Sequence, residues 1–391
     1  MILRGARVAL GPASARNIDI TIRGSRIAKL GDSRARDAMD LSGHLILPGL
    51  INAHDHLSFN LFPLLGSPPY PNATAWARDV YHPDESPVRE HRQIPRAARL
   101  AWGAIRNLIG GVTTVAHHDP DPPRMFGARF PVNVVQQSVW IHSLQFTPDL
   151  APRIRNAPRD WPVILHLGEG TDAGSAQELF DLDRRHLLDQ RTVVVHGVAI
   201  DARGFALLRK RGASLIACPV SNLFTLSRTL KRSVFDQKVP IALGTDSAIT
   251  ATGDLLDHLR AARAIWNLSA AKLYRMVTET PARMLHLNEG QGAIRENGIA
   301  DLIVMRDPLN TPAKSLLDLR HLEMVIVRGK IRLVSDRLKR FAPSTFESIA
   351  VEGRGRVWIG APVADLYRAA TSVLGKEWKL AGKRVRINNP K

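Results

Sequence analysis

One cysteine, Cys218, stands alone among 391 residues. A single thiol has no partner in its own chain, which excludes the intramolecular disulfide framework that staples small secreted domains. The opening residues MILRGARVAL lack a charged start, a long apolar run and a cleavage site, so no secretory signal is expected and a cytoplasmic location is. Long apolar runs are missing as well. None approaches the roughly 20 residues that a spanning helix needs, so membrane insertion is not expected. Acidic residues are few: 36 Asp and Glu face 54 Lys and Arg, a formal net charge of +18. Such an excess can steer anions or nucleic acid toward a surface. The arginines are scattered, however, as in RLAWGAIRNL and DARGFALLRKRG, where helix surfaces account for them. No dense basic run with interleaved aromatics precedes the tail KEWKLAGKRVRINNPK, so nucleic acid is not expected as a partner.

Hydrophobic residues, in contrast, make up 45% of the chain, enough for a large core in one big domain with a small one beside it. Four of the apolar runs end in a histidine or aspartate. They read LILPGLINAHDHL with His54 and His56, PVILHLGEG with His166 and Glu169, TVVVHG with His196, and VPIALGTDS with Asp246. Side chains alternate along a strand, so His-x-His sends both imidazoles to one side and turns Asp55 away. That geometry chelates a metal. If the other runs end at the same rim, a third imidazole and a carboxylate close a site with one position open for water, the arrangement of a metallohydrolase.

Short strand-like pieces open the chain, ILRGARVAL, NIDITIRGSRIAKLG and HLILPG, and the same texture returns in ADLIVMRDP and MVIVRGKIRLVS. The two ends are expected to build one small β-domain, a β-sandwich of residues 1–49 and 299–340. Between them, helical patterns alternate with apolar runs: RAARLAWGAIRNLI then GVTTVAHH, SAQELFDLDRRHLLD then TVVVHG, DARGFALLRKRG then ASLIACPVSN. The fold class is α/β, and residues 50–298 are expected to close a TIM-like (β/α)8 barrel with functional groups at the strand C-terminal ends. Residues 59–95, rich in Pro and polar groups, read as a long structureless connection suited to a lid. Residues 341–391 form an extension without an assigned role.

HDH at 54–56, HLGEG at 166–170, VVVHG at 193–197, CPVSN at 218–222 and ALGTDS at 242–247 occur in the order found in the amidohydrolase superfamily. The chain resembles the branch holding cytosine, guanine and S-adenosylhomocysteine deaminases and triazine chlorohydrolases, over roughly residues 1–335. The resemblance implies that His54, His56, His166 and Asp246 hold one divalent metal, zinc or iron. Two-metal members carry a carboxylated lysine between the first His pair and the third His. No lysine occurs between Lys29 and Lys210, so one metal is expected. Coordination lowers the pKa of water toward 7, which supplies hydroxide at neutral pH. Glu169 resembles the catalytic glutamate of the branch and would protonate a ring nitrogen. His196 would orient the nucleophile, and Asp246 would pass a proton to the departing amine.

The implied activity is hydrolytic deamination of an amino-substituted N-heterocycle or amidine. Opening of a cyclic amide or imide, or displacement of halide, uses the same ligand set. A non-enzymatic assembly protein on this fold is the reading of another class, and such relatives tend to lose ligands that this chain keeps. His117, His118 and His142 end strand-like runs and are candidates to line the pocket. Asn222 matches a family signature and Ser221 precedes it. Trp76, Arg78, Tyr81 and Arg89 in the long connection are candidates to meet a substrate ring, while Cys218 reads as buried. A small-molecule substrate, neutral or weakly charged, and a homodimer complete the expectations.

Overall fold

The computed structural model describes residues 1–33 and 37–387. Its central layer is parallel. Leu50–Asp55, Val112–His117 and Asn133–Val134 form a three-stranded sheet, and Val139–Ile141, Val163–Leu167, Thr192–His196, Ser214–Ala217 and Ile241–Leu243 a five-stranded one in chain order. These runs are apolar on both faces because both faces are covered. Ile51, Ala53, Ala116, Ile164, Val193, Val195, Ile216, Cys218 and Ala242 share one inner cluster, and Leu50, Val115, Leu165, Val194 and Leu215 pack in the larger cluster that the helices join. Cys218 is buried there. The backbone also links the two sheets, since the Thr245 and Asp246 N–H groups donate to the His54 carbonyl at 3.0 and 3.1 Å.

Both ends of the chain meet in a ten-stranded sheet. His44–Pro48 lies antiparallel to Leu302–Arg306, with Leu302 opposite Pro48 and Arg306 opposite His44. A four-stranded sheet of Ile2–Arg4, Ile20–Arg23, Arg26–Leu30 and Met39–Asp40 shares an apolar core with it, built from Leu3, Ile20, Ile27, Ile46, Leu302 and Met324 among others. Residues beyond 341 continue the ten-stranded sheet. Gly355–Ile359 pairs with Lys330–Ser335, followed by Glu347–Val351, Lys383–Ile387 and Lys379–Leu380. Among the described residues, no helix is long and apolar enough to cross a membrane.

Two expectations are corrected. Residues 59–95 are not structureless: Ala73–Val80 and Val88–Gln93 are helices, the first capped by Asn72, whose side chain accepts from the Ala75 N–H at 2.9 Å. The arginines of RLAWGAIRNL are not on a helix surface either. Arg99 and Arg106 lie on the helix Arg96–Ile109 and are buried, 8% and 1% exposed. This helix is covered on several sides: Trp102 donates from Nε1 to the Leu366 carbonyl at 3.1 Å, while Gly103 sits against the Leu57 backbone.

Candidate metal centre and active site

The strand ends converge on one point. His54 Nε2 lies 3.1 Å from His166 Nε2 and 3.8 Å from Asp246 Oδ1, and His56 Nε2 lies 3.7 Å from the same carboxylate oxygen. Asp246 and His196 reach this point through left-handed backbone, φ +55° and +72°. Non-glycine residues seldom adopt it, and strain of this kind gathers at functional sites. Asp246 is held on its outer side by Ser221 Oγ and Thr250 Oγ1 at 2.6 and 3.1 Å and by the Ser247 N–H at 2.7 Å.

The electrostatics suit a cation. Burial, then mutual repulsion among the imidazoles, pushes His54, His118 and His166 well below the usual histidine value, which keeps them in the neutral form that ligates metals. Burial also opposes protonation of His56, but Asp119, Asp246 and Asp55 outweigh it and raise that ring to about 9. Burial likewise opposes ionisation of Asp246, yet His196, His56 and the Ser221 hydrogen bond hold it below the ordinary carboxylate range. An acceptor-rich pocket that draws a proton on to His56 will take a divalent ion more strongly. The donor set, three imidazoles and one carboxylate, fits zinc or iron with a position left for water.

The ligands line a cavity of about 420 Å³, whose wall includes His56, His166, Glu169, His196 and Asp246. Burial, reinforced by Asp246 and Glu178, raises Glu169 to about 7 despite the pull of His196. His196 Nε2 is 3.5 Å from the Glu169 carboxylate, and its Nδ1 is 2.7 Å from Asn222 Oδ1, which fixes the ring. Asn222 thus acts on His196 and does not line the cavity.

Other anticipated residues divide. His142 and Trp76 line the cavity, and Trp76 Nε1 donates to the Leu65 carbonyl at 3.0 Å. His118 packs behind it, its ring centroid 4.4 Å from that of His166 and its Nε2 3.1 Å from the Ile141 carbonyl. His117 is corrected. It turns away from the cavity, accepting the Leu57 N–H at 3.2 Å and pairing with Asp121 at 2.9 Å, because its strand position points it at the opposite face from His118. Arg89 is corrected as well: it is exposed, paired with Glu90 at 2.6 Å, and lines no part of the site. Arg78 lies exposed beside an adjoining lobe.

Two carboxylates escaped the sequence reading. Asp119 sits 3.0 Å from His56 Nδ1, accepts from Ser58 Oγ at 3.0 Å, and orients the ring from outside. Asp55, wholly buried, accepts from Asn60 at 3.0 Å and from Asn107 at 2.8 Å, with Thr245 and Arg106 also in reach. The only signal for Asp119 was its place directly after the paired histidines of AHHDP.

Convergent imidazoles and a carboxylate at the ends of parallel strands, with a protonatable glutamate on the same cavity wall, define a metal-dependent hydrolase type of site. Residues 145–332 match the model of the amidohydrolase family. A 5'-deoxyadenosine deaminase of Methanothrix thermoacetophila is 25% identical over 81% of this chain and 88% of its own length. A 5-methylthioadenosine/S-adenosylhomocysteine deaminase of Natronomonas pharaonis is 26% identical over 80% and 86%. In structure the chain is similar to an atrazine chlorohydrolase from Arthrobacter aurescens complexed with zinc, TM-score 0.69 at 18% identity over 95% and 99% of the two chains. An adenosine deaminase from Xanthomonas campestris with bound zinc gives 0.67 at 18% over 95% and 97%. The chain is a member of the amidohydrolase superfamily.

Proposed function

We propose that this chain is a mononuclear metal-dependent hydrolase of carbon–nitrogen bonds that deaminates an amino-substituted N-heterocycle. The observation that carries the reading is the convergence of His54, His56, His166 and Asp246 on the wall that also bears Glu169. A zinc or iron ion held by those four residues supplies a water of lowered pKa. Glu169, protonated near neutral pH, gives its proton to a ring nitrogen as the water oxygen adds to the amino-bearing carbon. His196, fixed by Asn222, directs that oxygen. Asp246 takes a proton from the nucleophile and passes it to the leaving amine, so water and amine become carbonyl and ammonia.

The reading includes a fold in which the two parallel sheets close as a (β/α)8 barrel over residues 50–298. Residues 1–49 and 299–340 then make the composite β-domain. The shared inner cluster and the His54 backbone bridges support the closure.

Metal analysis with an ammonia-release screen of aminopurines, aminopyrimidines, triazines and cyclic amides tests the reading. One equivalent of zinc or iron per chain is expected, lost in His54→Ala and Asp246→Ala. Glu169→Gln should keep the metal while turnover falls by about 10²-fold or more. Two stoichiometric metals, ring opening without ammonia, or full turnover in E169Q would overturn it.

A further inference from the structure

Beside the metal cavity lies a second lobe of about 810 Å³ that shares His56, Phe59, Trp76 and His142 with it. Its walls are largely apolar and aromatic, with Trp140 and Phe146 among them, and yet five arginines border it. Their partners differ. Arg96 is committed to Asp121 by two hydrogen bonds of 2.9 and 2.5 Å. Arg153 donates to the Trp140 carbonyl at 3.2 Å and stacks on that indole at 5.1 Å. Arg78 and Arg92 are exposed to solvent. Arg99 alone is buried, 8% exposed, and its one protein hydrogen bond runs from Nε to the Ile94 carbonyl at 3.2 Å. Among the described residues, neither of its terminal nitrogens has a hydrogen bond or a carboxylate partner.

A guanidinium removed from water is costly unless an anion meets it. Here Arg96 and Arg92 add repulsion, which Asp121 and Asp119 offset only in part. What remains is one uncommitted positive fork in an aromatic lobe that opens from the metal centre. A carboxylate matches such a fork by two parallel hydrogen bonds and brings one compensating charge. We propose that Arg99 is a specificity-determining residue that receives a carboxylate on the substrate, carried on an arm that runs from the reacting ring across Phe59 and Trp76 into this lobe. The proposal rests on the preceding section for the ring and its position, and it replaces the expectation of a neutral substrate. Arg78 and Arg89, on the connection after the first parallel strand, are not the anion's partners; the cation comes from the helix behind it.

Calorimetric titration of the metal-loaded enzyme tests the proposal without turnover. The probes are ω-phenylalkanoates with two to six methylenes, each set against its primary carboxamide and its phosphonate. The expected result is at least one chain length whose carboxylate binds about tenfold or more tighter than the amide, the range for a hydrogen bond to a charged group. That ratio should fall to about one in Arg99→Met and survive in part in Arg99→Lys, with metal content and circular dichroism unchanged in both. Carboxylates and amides binding alike, neither binding, or a ratio that persists in R99M would overturn the proposal. A phosphonate preferred about tenfold over every carboxylate would overturn the choice of carboxylate. Ammonia release judges the deaminase reading separately, so either can fail alone.

Discussion

Asp119 governs His56 from the side away from the cavity. Its carboxylate is the first-named attraction that raises His56, and the pair keeps the other ring nitrogen aimed at Asp246. Asp119→Asn keeps the shape and removes the charge, so metal affinity should weaken by about 10–100-fold, read by competition with a chelator. Unchanged affinity would show that His56 needs no such support. The ligands themselves were legible because a strand end and a two-residue spacing fix where a side chain points. Asp119 was not, since its role arises from contact with a residue 63 positions away. Asp301 gives a second residue-scale test. Burial raises it to about 7, against hydrogen bonds that include the Arg328 N–H at 2.6 Å. An acid whose folded pKa exceeds its unfolded one favours folding at low pH, and that contribution fades as pH rises through about 4 to 7. Tm should therefore decline across this window, and Asp301→Asn should flatten the decline. An identical slope in both proteins would clear Asp301.

At the scale of elements, the helix Arg96–Ile109 does most to place the site. A methyl group on Gly103 would lie 2.1 Å from the Leu57 carbonyl oxygen, in the turn that follows His56. Gly103→Ala must push helix and turn apart. The expected cost is about 1–3 kcal/mol of stability by denaturant unfolding, with weaker metal retention. A variant as stable as the parent would show that the turn yields freely. The helix was legible from its apolar spacing, yet the burial of Arg99 and Arg106 was not. Period alone assigns one covered face, whereas this helix is roofed by residues from more than 250 positions later, as the Trp102–Leu366 bond records. Ala73–Val80 was missed for the opposite reason. It buries no residue, so no apolar stripe announced it, and the Asn72 cap secures its start.

Across the whole molecule, the sharing of one sheet by both chain ends was readable from strand-like texture at each end. The extension was not, because its contacts are with distant backbone and charge. Arg354, buried, grips Asp254 from Nε at 2.8 Å and Nη2 at 2.5 Å, and Lys383 reaches Asp257 at 2.6 Å. Removing one partner from such a buried pair, as in Arg354→Ala, should destabilise by about 3–5 kcal/mol. Ala381 then accepts from the Gly253 N–H at 2.8 Å and donates to the Asn60 carbonyl at 2.8 Å. Asn60 holds Asp55, and Arg106 donates to the carbonyls of Gly253 and Asp246 at 2.7 and 3.1 Å. Through these few bonds the docking of the tail and the capture of the ion become linked equilibria, and thermodynamic reciprocity requires each to strengthen the other by the same factor. Chelation should then quicken tryptic cleavage at exposed Lys376, and protein cut there should lose its ion more readily. Cleavage at one rate with and without the ion would mean that the tail fastens the fold but takes no part in holding the metal.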